Sequence, residues 1–513
     1  MGRLKSQTTT LNGTQIKKDT YAYPQYEYED MEIEDYVYRA NSKVETHKIE
    51  YGDKTYTYTY TYDERGNIST IAVKDSTTNT TKTTRYLYDG ANQLIREDNE
   101  AAGYTWIWTY DDAGNILSQK KYGYSTAAAP TTTLHSTVNY AYDINEGDGE
   151  NNWGDLLISY GGKTITYQQD INGYDYGNMA SDGTWSYTWA HGRQLKTLTK
   201  SGTTWTYTYD ANGMRTKRTT GSTTYQYFYT GSQLKKMTVG SNTLLFQYGT
   251  TGMPVGLTYN NTRYYYVTNL QGDVIAILNG SGTAVVTYTY DAWGNILTTT
   301  DTSGIGLASK NPLRYRGYVY DQETGLYYLQ SRYYNPAMGR FINADTYVST
   351  GQGFVGNNMF AYCLNNPVNY SDKSGKLADS YSGWLGDLLG ELFYEWTTGN
   401  EHPNRQAREI ENEITRQQIQ AFQDGAMAAW DAYNFSLALE NEQQYRQALF
   451  VNNFIADRFS TPTKTAETLT VVAVAFDGAA RLCASAGCVK AAAAFRVLEW
   501  ATAAAAALIA CLD

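Results

Sequence analysis

Cysteine, histidine and proline are scarce in this chain: its 513 residues include four Cys, four His and eight Pro. The cysteines at 363, 483, 488 and 511 have no Cys-x-x-Cys spacing and no neighbouring histidines. This pattern excludes a recognisable zinc motif and argues against a disulfide framework, so we expect no metal and no other cofactor. The few prolines leave the backbone N–H donors that paired strands require.

Long apolar runs are also missing. The opening segment MGRLKSQTTTLNGTQIKKD has no apolar stretch typical of a signal peptide. We therefore expect either another export route or a chain that is a fragment of a longer gene product. Near the C-terminus the longest apolar run, Trp500 to Leu512, is shorter than the roughly 20 residues that span a bilayer core.

Tyrosine is the residue in excess, with 50 copies, and all but four precede Leu377. In KTYTYTYTYDERGNIST, residues 54 to 70, Tyr alternates with Thr, so the tyrosines share one face of a strand. Asp63 and Gly66 then predict a hairpin turn, because Asp caps turns and Gly accepts positive φ. The change in composition predicts a domain boundary near residue 376.

The same ending recurs along the chain. It returns as WTYDDAGNIL at 108 to 117, YTYDANGMR at 207 to 215 and YTYDAWGNIL at 288 to 297. The spacing between turns leaves room for two or three strands per repeat, which predicts antiparallel hairpins that pair edge to edge in one long sheet. A β-propeller is the alternative, although its blades need repeats of about 40 to 50 residues.

The Tyr-Asp-x-x-Gly-Asn repeats resemble those of RHS/YD-repeat proteins. The stretch NPLRYRGYVYDQETGLYYLQSRYYNPAMGRFINADTY, residues 311 to 347, resembles the RHS-associated core, and NNMFAYCLNNPVNYSDKSG, 357 to 375, continues it. The resemblance implies a β-strand shell related to bacterial RHS toxins, insecticidal toxin-complex C subunits and the shell of teneurins. The repeat region is short beside complete cages, which favours a partial or open shell.

The expected fold is mainly β: an antiparallel YD-repeat shell followed by a smaller, mainly α domain. Residues 1–50 form an N-terminal lead-in that resembles a degenerate repeat, 51–310 the shell, 311–376 the core and 377–513 a variable C-terminal domain. In the last of these, Ala407, Ile410, Ile414 and Ala421 fall near helical spacing. In the family that position is held by cargo, commonly a toxin.

No catalytic motif is recognisable in the C-terminal domain. It has one histidine, His402, no phosphate-binding glycine loop, and more acidic than basic residues. This charge balance argues against a nuclease or a nucleic-acid partner. Residues 466–512 form either a buried helix of a bundle or a helical hairpin that contacts membranes, so we rank membrane disruption above nuclease activity.

The resemblance also implies a self-cleavage site. In cage-forming relatives two Asp-Pro-x-Gly-like motifs bring two aspartates together, and the chain is cut after the second motif. The matching positions are Asp345 and Asp372, with the bond after Lys376 as the candidate scissile bond. Thr346 and Lys373 replace the prolines, and Lys373 is expected to favour an ionised Asp372. The alternative role for both aspartates is turn capping.

Two functions remain open from the sequence. The first is a shell that encloses or presents a C-terminal toxin for interbacterial competition or delivery to a target cell. Its expected partners are an immunity protein and secretion machinery, and its expected location is secreted or at the cell surface. The alternative is a surface adhesion or carbohydrate-binding protein whose tyrosines stack on cell-surface glycans.

Overall fold

The computed structural model describes residues 4–30, 35–40, 43–143, 153–171, 173–249, 252–346, 350, 352 and 354–380. Contacts divide the chain into two compact units, Met1–Gly390 and Glu391–Asp513, and every described residue belongs to the first. The helices expected in the tail, and the possible membrane segment 466–512, lie outside the described residues. In the part that is described, no helix has the length and hydropathy of a membrane span.

The Tyr- and Thr-rich segments form strands. Up to residue 164 these are β1 (Ser6–Leu11), β2 (Thr14–Ala22), β3 (Gln25–Asp30), β4 (Asp35–Ala40), β5 (Thr46–Tyr51), β6 (Lys54–Tyr62), β7 (Ile68–Asp75), β8 (Thr80–Tyr88), β9 (Leu94–Asn99), β10 (Tyr104–Tyr110), β11 (Ile116–Gly123), β12 (Leu134–Tyr142), β13 (Leu157–Tyr160) and β14 (Lys163–Thr164).

The second half of the repeat region follows the same pattern. Its strands are β15 (Thr166–Gln169), β16 (Asp175–Ser181), β17 (Ser186–Ala190), β18 (Gln194–Lys200), β19 (Thr203–Tyr209), β20 (Arg215–Thr220), β21 (Thr223–Thr230), β22 (Gln233–Val239), β23 (Asn242–Tyr248), β24 (Pro254–Tyr259), β25 (Thr262–Thr268), β26 (Val274–Leu278), β27 (Ala284–Tyr290) and β28 (Ile296–Asp301).

The core region has shorter elements. They are the helix α1 (Leu307–Lys310), the 3-10 turns Tyr315–Gly317, Phe354–Asn357 and Cys363–Asn365, and the strands β29 (Val319–Asp321), β30 (Leu326–Tyr328), β31 (Tyr333–Asn335), β32 (Arg340–Phe341), β33 (Tyr370–Ser371) and β34 (Asp379–Ser380).

Two large antiparallel sheets make up the shell. The first has 12 strands, β1, β2 and β5 to β14, and the second has 14, β15 to β28 in chain order. The hairpin β3–β4 leaves the first sheet between β2 and β5, which pair directly with each other. Thus the lead-in over residues 1–50 contributes strands to the same sheet as the repeats. This sequential pairing confirms the antiparallel shell, and between the described strands neither sheet closes on itself.

Each repeat ends in a turn held by its aspartate. In the first, Asp63 Oδ1 accepts the N–H of Asn67 at 2.7 Å, and Gly66 has a φ of 85°. The same i to i+4 bond recurs in the turns that begin at Asp89, Asp111, Asp210 and Asp291. Turns were expected at Asp63, Asp111, Asp210 and Asp291, and all four are confirmed.

The tyrosine before the turn aspartate ties its hairpin to the previous one. Tyr88 donates its hydroxyl to the carbonyl of Ile68, the first strand residue after the preceding turn, at 2.8 Å. Equivalent bonds join Tyr110 to Leu94, Tyr142 to Ile116, Tyr209 to Leu195, Tyr248 to Leu234 and Tyr290 to Val274. The tyrosine and aspartate of the repeat therefore have separate roles: one connects hairpins, and the other closes the turn.

The two faces of the sheets differ as the alternation predicts. Buried tyrosines line the inner face, among them Tyr60, Tyr86, Tyr187, Tyr207, Tyr227 and Tyr288. On the outer face, exposed threonine hydroxyls pair across strands, as in Thr188 with Thr197 and Thr289 with Thr298. The inner rings pack with the core region in one continuous hydrophobic cluster.

Strands near the start of the first sheet contact strands near the end of the second sheet. Ile16 and Ile49 of the first sheet pack with Val267 and Leu278 of the second in a separate buried cluster. The hairpin turn at Gly52 approaches the turn at Gly282 so closely that an added Cβ on Gly52 would lie 3.2 Å from the Gly282 carbonyl oxygen. The start of the first sheet therefore lies against the end of the second.

One repeat turn, Asp291–Asn295, is buried, and we call it the hub turn. Its first four residues are buried, whereas the turns at Asp63 and Asp210 are largely open to solvent. Three core tyrosines donate to its consecutive carbonyls at 2.7 to 2.9 Å: Tyr315 to Ala292, Tyr334 to Trp293 and Tyr327 to Gly294. The hub turn thus holds the core inside the shell.

Most tyrosines of the core region are buried. These are Tyr315, Tyr318, Tyr327, Tyr328, Tyr333 and Tyr334, whereas Tyr320 is half-buried. The core glycines Gly317, Gly325 and Gly339 all have positive φ. Buried ion pairs add further anchors, since Arg215 binds Asp321 in a bidentate pair at 2.6 and 3.0 Å and Arg316 binds Asp273.

Replacing Tyr333 by Ala tests this packing. Tyr333 is 2% exposed, and its hydroxyl lies 2.8 Å from that of Tyr209. Truncation of a buried aromatic ring should lower the free energy of unfolding by about 3–5 kcal/mol in denaturant titrations. Tyr176→Ala, at a ring that is 52% exposed, is the matched control and should cost well under half as much. Equal effects in the two variants would contradict the assigned packing.

Candidate functional site

The structure brings the two candidate aspartates together. Asp345 and Asp372 are each 2% exposed, although 27 positions separate them in the numbering of the sequence. Both carboxylates contact one nitrogen of Arg332: its Nη2 lies 2.9 Å from Asp345 Oδ2 and 3.1 Å from Asp372 Oδ2. A single guanidinium therefore bridges the pair.

Arg332 is fixed on its remaining sides. Its Nη1 donates to the carbonyl of Met359 at 3.1 Å, and its Nε donates to the carbonyl of Gly375. The guanidinium carbon lies 3.5 Å from the centre of the Phe341 ring. Met359 also accepts the backbone N–H of Asp345 at 2.9 Å. These bonds join three separate segments of the core at one buried cation.

Asp372 occupies a turn of the same kind as the repeat turns. Its Oδ1 accepts the N–H of Lys376 at 2.9 Å, and Gly375 has a φ of 71°. Its own N–H donates to the hydroxyl of Tyr318 at 2.7 Å. The position of Asp372 thus matches that of Asp63 or Asp210 in a repeat, and turn capping is part of its role.

Burial is the main cause that raises the pKa of Asp372 to about 6, and the nearby Asp345 acts in the same direction. Arg332 and the N–H groups of Lys376 and Gly375 act in the opposite direction, because they stabilise the ionised form. Below about pH 6 Asp372 is therefore mostly protonated, beside a second carboxyl group, Asp345, that shares its cation. A protonated acid next to a second carboxyl group is an arrangement that general acid and base chemistry uses.

The candidate scissile bond lies immediately beyond this turn. Gly375 is anchored because Ser331 Oγ donates to its carbonyl at 2.6 Å. On the far side, Ala378 is held by both ends of the Gln352 amide, at 2.6 and 3.2 Å. Between these anchors the side chain of Leu377 is 43% exposed. The bond after Lys376 is therefore held close to the acid pair.

Two cations of the site were missed from the sequence. Lys373, which was expected to favour an ionised Asp372, has an exposed side chain, and Arg332 is a cation that contacts both acids. Arg193 donates to the carbonyl of Ala344, next to Asp345, and its backbone N–H donates to the carbonyl of His191. The segment SRYYNP contained Arg332, but nothing local indicated which acids it would meet.

The site offers carboxylates and a guanidinium rather than a metal centre. In the stretches of chain that the structure describes, no group of three His, Cys, Asp or Glu side chains is placed to hold a metal ion.

The fold and the core agree with a family comparison. The Teneurin YD-shell family model matches residues 1–368. The chain belongs to the teneurin YD-shell family. The solved structure of the Photorhabdus luminescens Tc holotoxin pore superimposes with a TM-score of 0.52 at 18% identity over 72% of this chain and 18% of its own. At that identity the superposition establishes the fold alone.

The chain spans only a small part of the curated relatives that it matches. The tRNA3(Ser)-specific nuclease WapA of Bacillus spizizenii is 34% identical over 56% of this chain and 12% of its own length. The tRNA(Glu)-specific nuclease WapA of Bacillus subtilis subsp. natto is 34% identical over 43% of this chain and 9% of its own. This YD-shell chain thus corresponds to about a tenth of each relative.

Arg332→Met tests the electrostatics of the YD-shell core. Removing the cation between two buried acids should lower the free energy of unfolding by about 3–5 kcal/mol at pH 8. The loss should be smaller at pH 5, where Asp372 is protonated and no longer repels Asp345. Denaturant titrations at both pH values measure the difference. Arg263→Met, at an exposed position of β25, is the control, and a pH-independent loss in Arg332→Met would contradict the bridge.

Proposed function

We propose that this chain is the cargo-bearing end of a YD-shell toxin, in which the shell encloses or presents residues 377–513 as an effector. The main support is a shell whose inner face is lined with buried tyrosines and whose core is anchored on the hub turn. The chain belongs to the teneurin YD-shell family, and curated relatives of the chain carry nuclease names. Such a protein acts outside the producing cell, either secreted or at its surface. Its partners are an immunity protein and export machinery.

The path of the chain just after the acid pair supports the proposed division into shell and effector. β34 pairs with β33 through Tyr370 and Ser380, so the segment after the acid pair remains joined to the core. Leu377 lies between, with an exposed side chain. The described chain therefore stays paired with the core up to Ser380.

The effector is tested by expressing residues 377–513 alone. Because acidic residues outnumber basic ones and the end is apolar, we expect leakage of a membrane-impermeant dye from bacteria rather than degradation of RNA or DNA. Dye release and nucleic-acid integrity are measured in the same cultures, with residues 1–376 as the control. Degradation without leakage would reverse this ranking and match the activity named for the relatives.

A second proposal is self-cleavage by the core, which the acid pair on Arg332 favours. Ionised Asp345 would accept a proton from a water that attacks the Lys376 carbonyl carbon. Protonated Asp372 would donate a proton to the nitrogen of Leu377. A carbon–oxygen bond forms, the carbon–nitrogen bond breaks, and residues 377–513 are released.

Cleavage is measured by mass spectrometry of the purified full chain. We expect a fragment that begins at Leu377 in wild type and not in Asp345→Asn or Asp372→Asn. Because the pKa of Asp372 is about 6, the rate should rise as the pH falls from 8 to 5.5, since the protonated acid becomes more abundant.

Asp210→Asn is the matched control for turn capping. Asp210 accepts the N–H of Met214 at 2.9 Å, as Asp372 accepts that of Lys376, but it has no second carboxylate on a shared cation. It should leave cleavage unchanged. An intact wild-type chain after prolonged incubation at pH 5.5 would show that both aspartates serve only as structural caps.

The adhesion alternative loses its main support in the structure. The tyrosines that were expected to stack on glycans face inward, and Tyr60, Tyr207, Tyr227 and Tyr288 are each no more than 5% exposed. The outer face presents threonine pairs instead. Aromatic platforms for sugars are thus not a general feature of this surface.

A further inference from the structure

A second pair of buried acids lies outside the candidate site. Glu97, in β9 of the first sheet, is 1% exposed, and Asp291, at the start of the hub turn, is 5% exposed. The N–H of Ala292 donates to Glu97 Oε2 at 2.9 Å, a bond between residues 195 positions apart. This contact joins the first sheet to the turn that holds the core.

Neither carboxylate has a cation partner in the part of the chain that the structure describes. Glu97 Oε1 accepts the amide of Asn99 at 3.0 Å, while Asp291 accepts the N–H groups of Trp293 and Asn295 within its turn. Among the described residues, neither acid forms an ion pair. The nearest acid along β9, Asp98, takes both local cations, since Arg85 and Arg96 bind it at 2.6 and 2.7 Å.

The surroundings of the pair are aromatic. Tyr86 and Trp106 lie directly opposite Glu97 on the neighbouring strands β8 and β10. Tyr327 and Tyr334 of the core lie close enough to Asp291 for its negative charge to raise their pKa values. The negative charge of Glu97 likewise raises the pKa of Tyr88. It also raises the pKa of Tyr86, on which the charges of Arg316 and Asp273 act in opposite directions. Those two form a salt bridge at 2.9 Å, so their opposite charges largely cancel.

Two buried carboxylates that lie near each other and form no ion pair among the described residues resist double ionisation, although N–H and amide donors hydrogen-bond to both. We propose that Glu97 and Asp291 form an acid clasp, which keeps a proton near neutral pH and joins the first sheet to the hub turn, and that loss of this proton loosens the junction. The clasp depends only on this geometry and not on the cargo or on self-cleavage.

The pKa shifts of Glu97 and Asp291 determine how the stability of the fold changes with pH. Burial raises the pKa of Glu97 to about 8 and that of Asp291 to about 6, and the charge of Asp291 adds to the first shift. The folded chain therefore binds more protons than the unfolded chain between about pH 4 and pH 8. The clasp stabilises the fold fully below this window, and its contribution falls as the pH rises through it.

Thermal melting of the full chain between pH 5 and pH 8.5 tests the clasp. We expect the melting temperature of wild type to fall by roughly 5–10 °C over this range. In Glu97→Gln the fall should shrink by at least half, because an uncharged amide resembles the protonated acid and can still accept from Ala292. Glu100→Gln is the control: Glu100 lies just beyond β9, pairs with exposed Lys82, and should keep the wild-type profile.

A wild-type pH profile in Glu97→Gln would overturn the proposal. Infrared titration of the unmodified protein gives an independent measurement that does not need the variant to fold. A carboxylic acid carbonyl band that persists at pH 7 and disappears by pH 9 supports the clasp. Loss of all such intensity below pH 6 overturns it.

Discussion

The bond from a tyrosine hydroxyl to the carbonyl of the preceding hairpin is the interaction on which the shell depends. A lone hairpin is marginal in water, and each repeat here supplies only two or three strands. Tyr88, Tyr110 and Tyr290 each reach over to the first strand residue after the previous turn, at 2.6 to 2.8 Å. These three acceptors stand at the same place in the repeat. The bond therefore sets the position of each hairpin relative to the preceding one. The sheet is thus specified one repeat at a time.

The hub turn shows what happens when one repeat departs from this arrangement. The turn at Asp63 has Glu64 and Arg65 at its tip, both suited to water, whereas the hub turn has Ala292 and Trp293. The small residue lets Tyr315 approach, and the indole packs near Trp108, with ring centres 5.9 Å apart. Burying a turn leaves its carbonyls without water, and the three core tyrosines satisfy them. The carbonyls of the hub turn therefore depend on the core tyrosines for hydrogen bonds, and the core is anchored on the hub turn.

Much of the shell was predictable from the sequence because its rules are local. Alternation of Tyr and Thr determines the inner and outer faces, and Asp with Gly determines the turns. The contacts between distant segments followed no such rule. Nothing around Glu97 indicated that Asp291 would meet it, and only Ala292 and Trp293 distinguish the tip of the hub turn from the repeat turn at Asp111. The proximity of Asp345 and Asp372 was available only through a family resemblance, and Arg332 was missed because its partners lie 13 and 40 positions away in the sequence.

The two acid pairs show how one residue changes the chemistry of a buried site. Asp345 and Asp372 share Arg332, which favours their ionised forms and ties three core segments together. Glu97 and Asp291 have no such cation, so the same burial favours a bound proton. In the first pair Arg332 opposes the effect of burial and holds both acids beside the turn from which the chain leaves the core. The second is suited to sensing pH where the first sheet meets the hub turn. In the cargo-bearing shell that we propose, the first pair would fix the junction where the chain leaves the core, and the second would make the junction with the first sheet respond to pH.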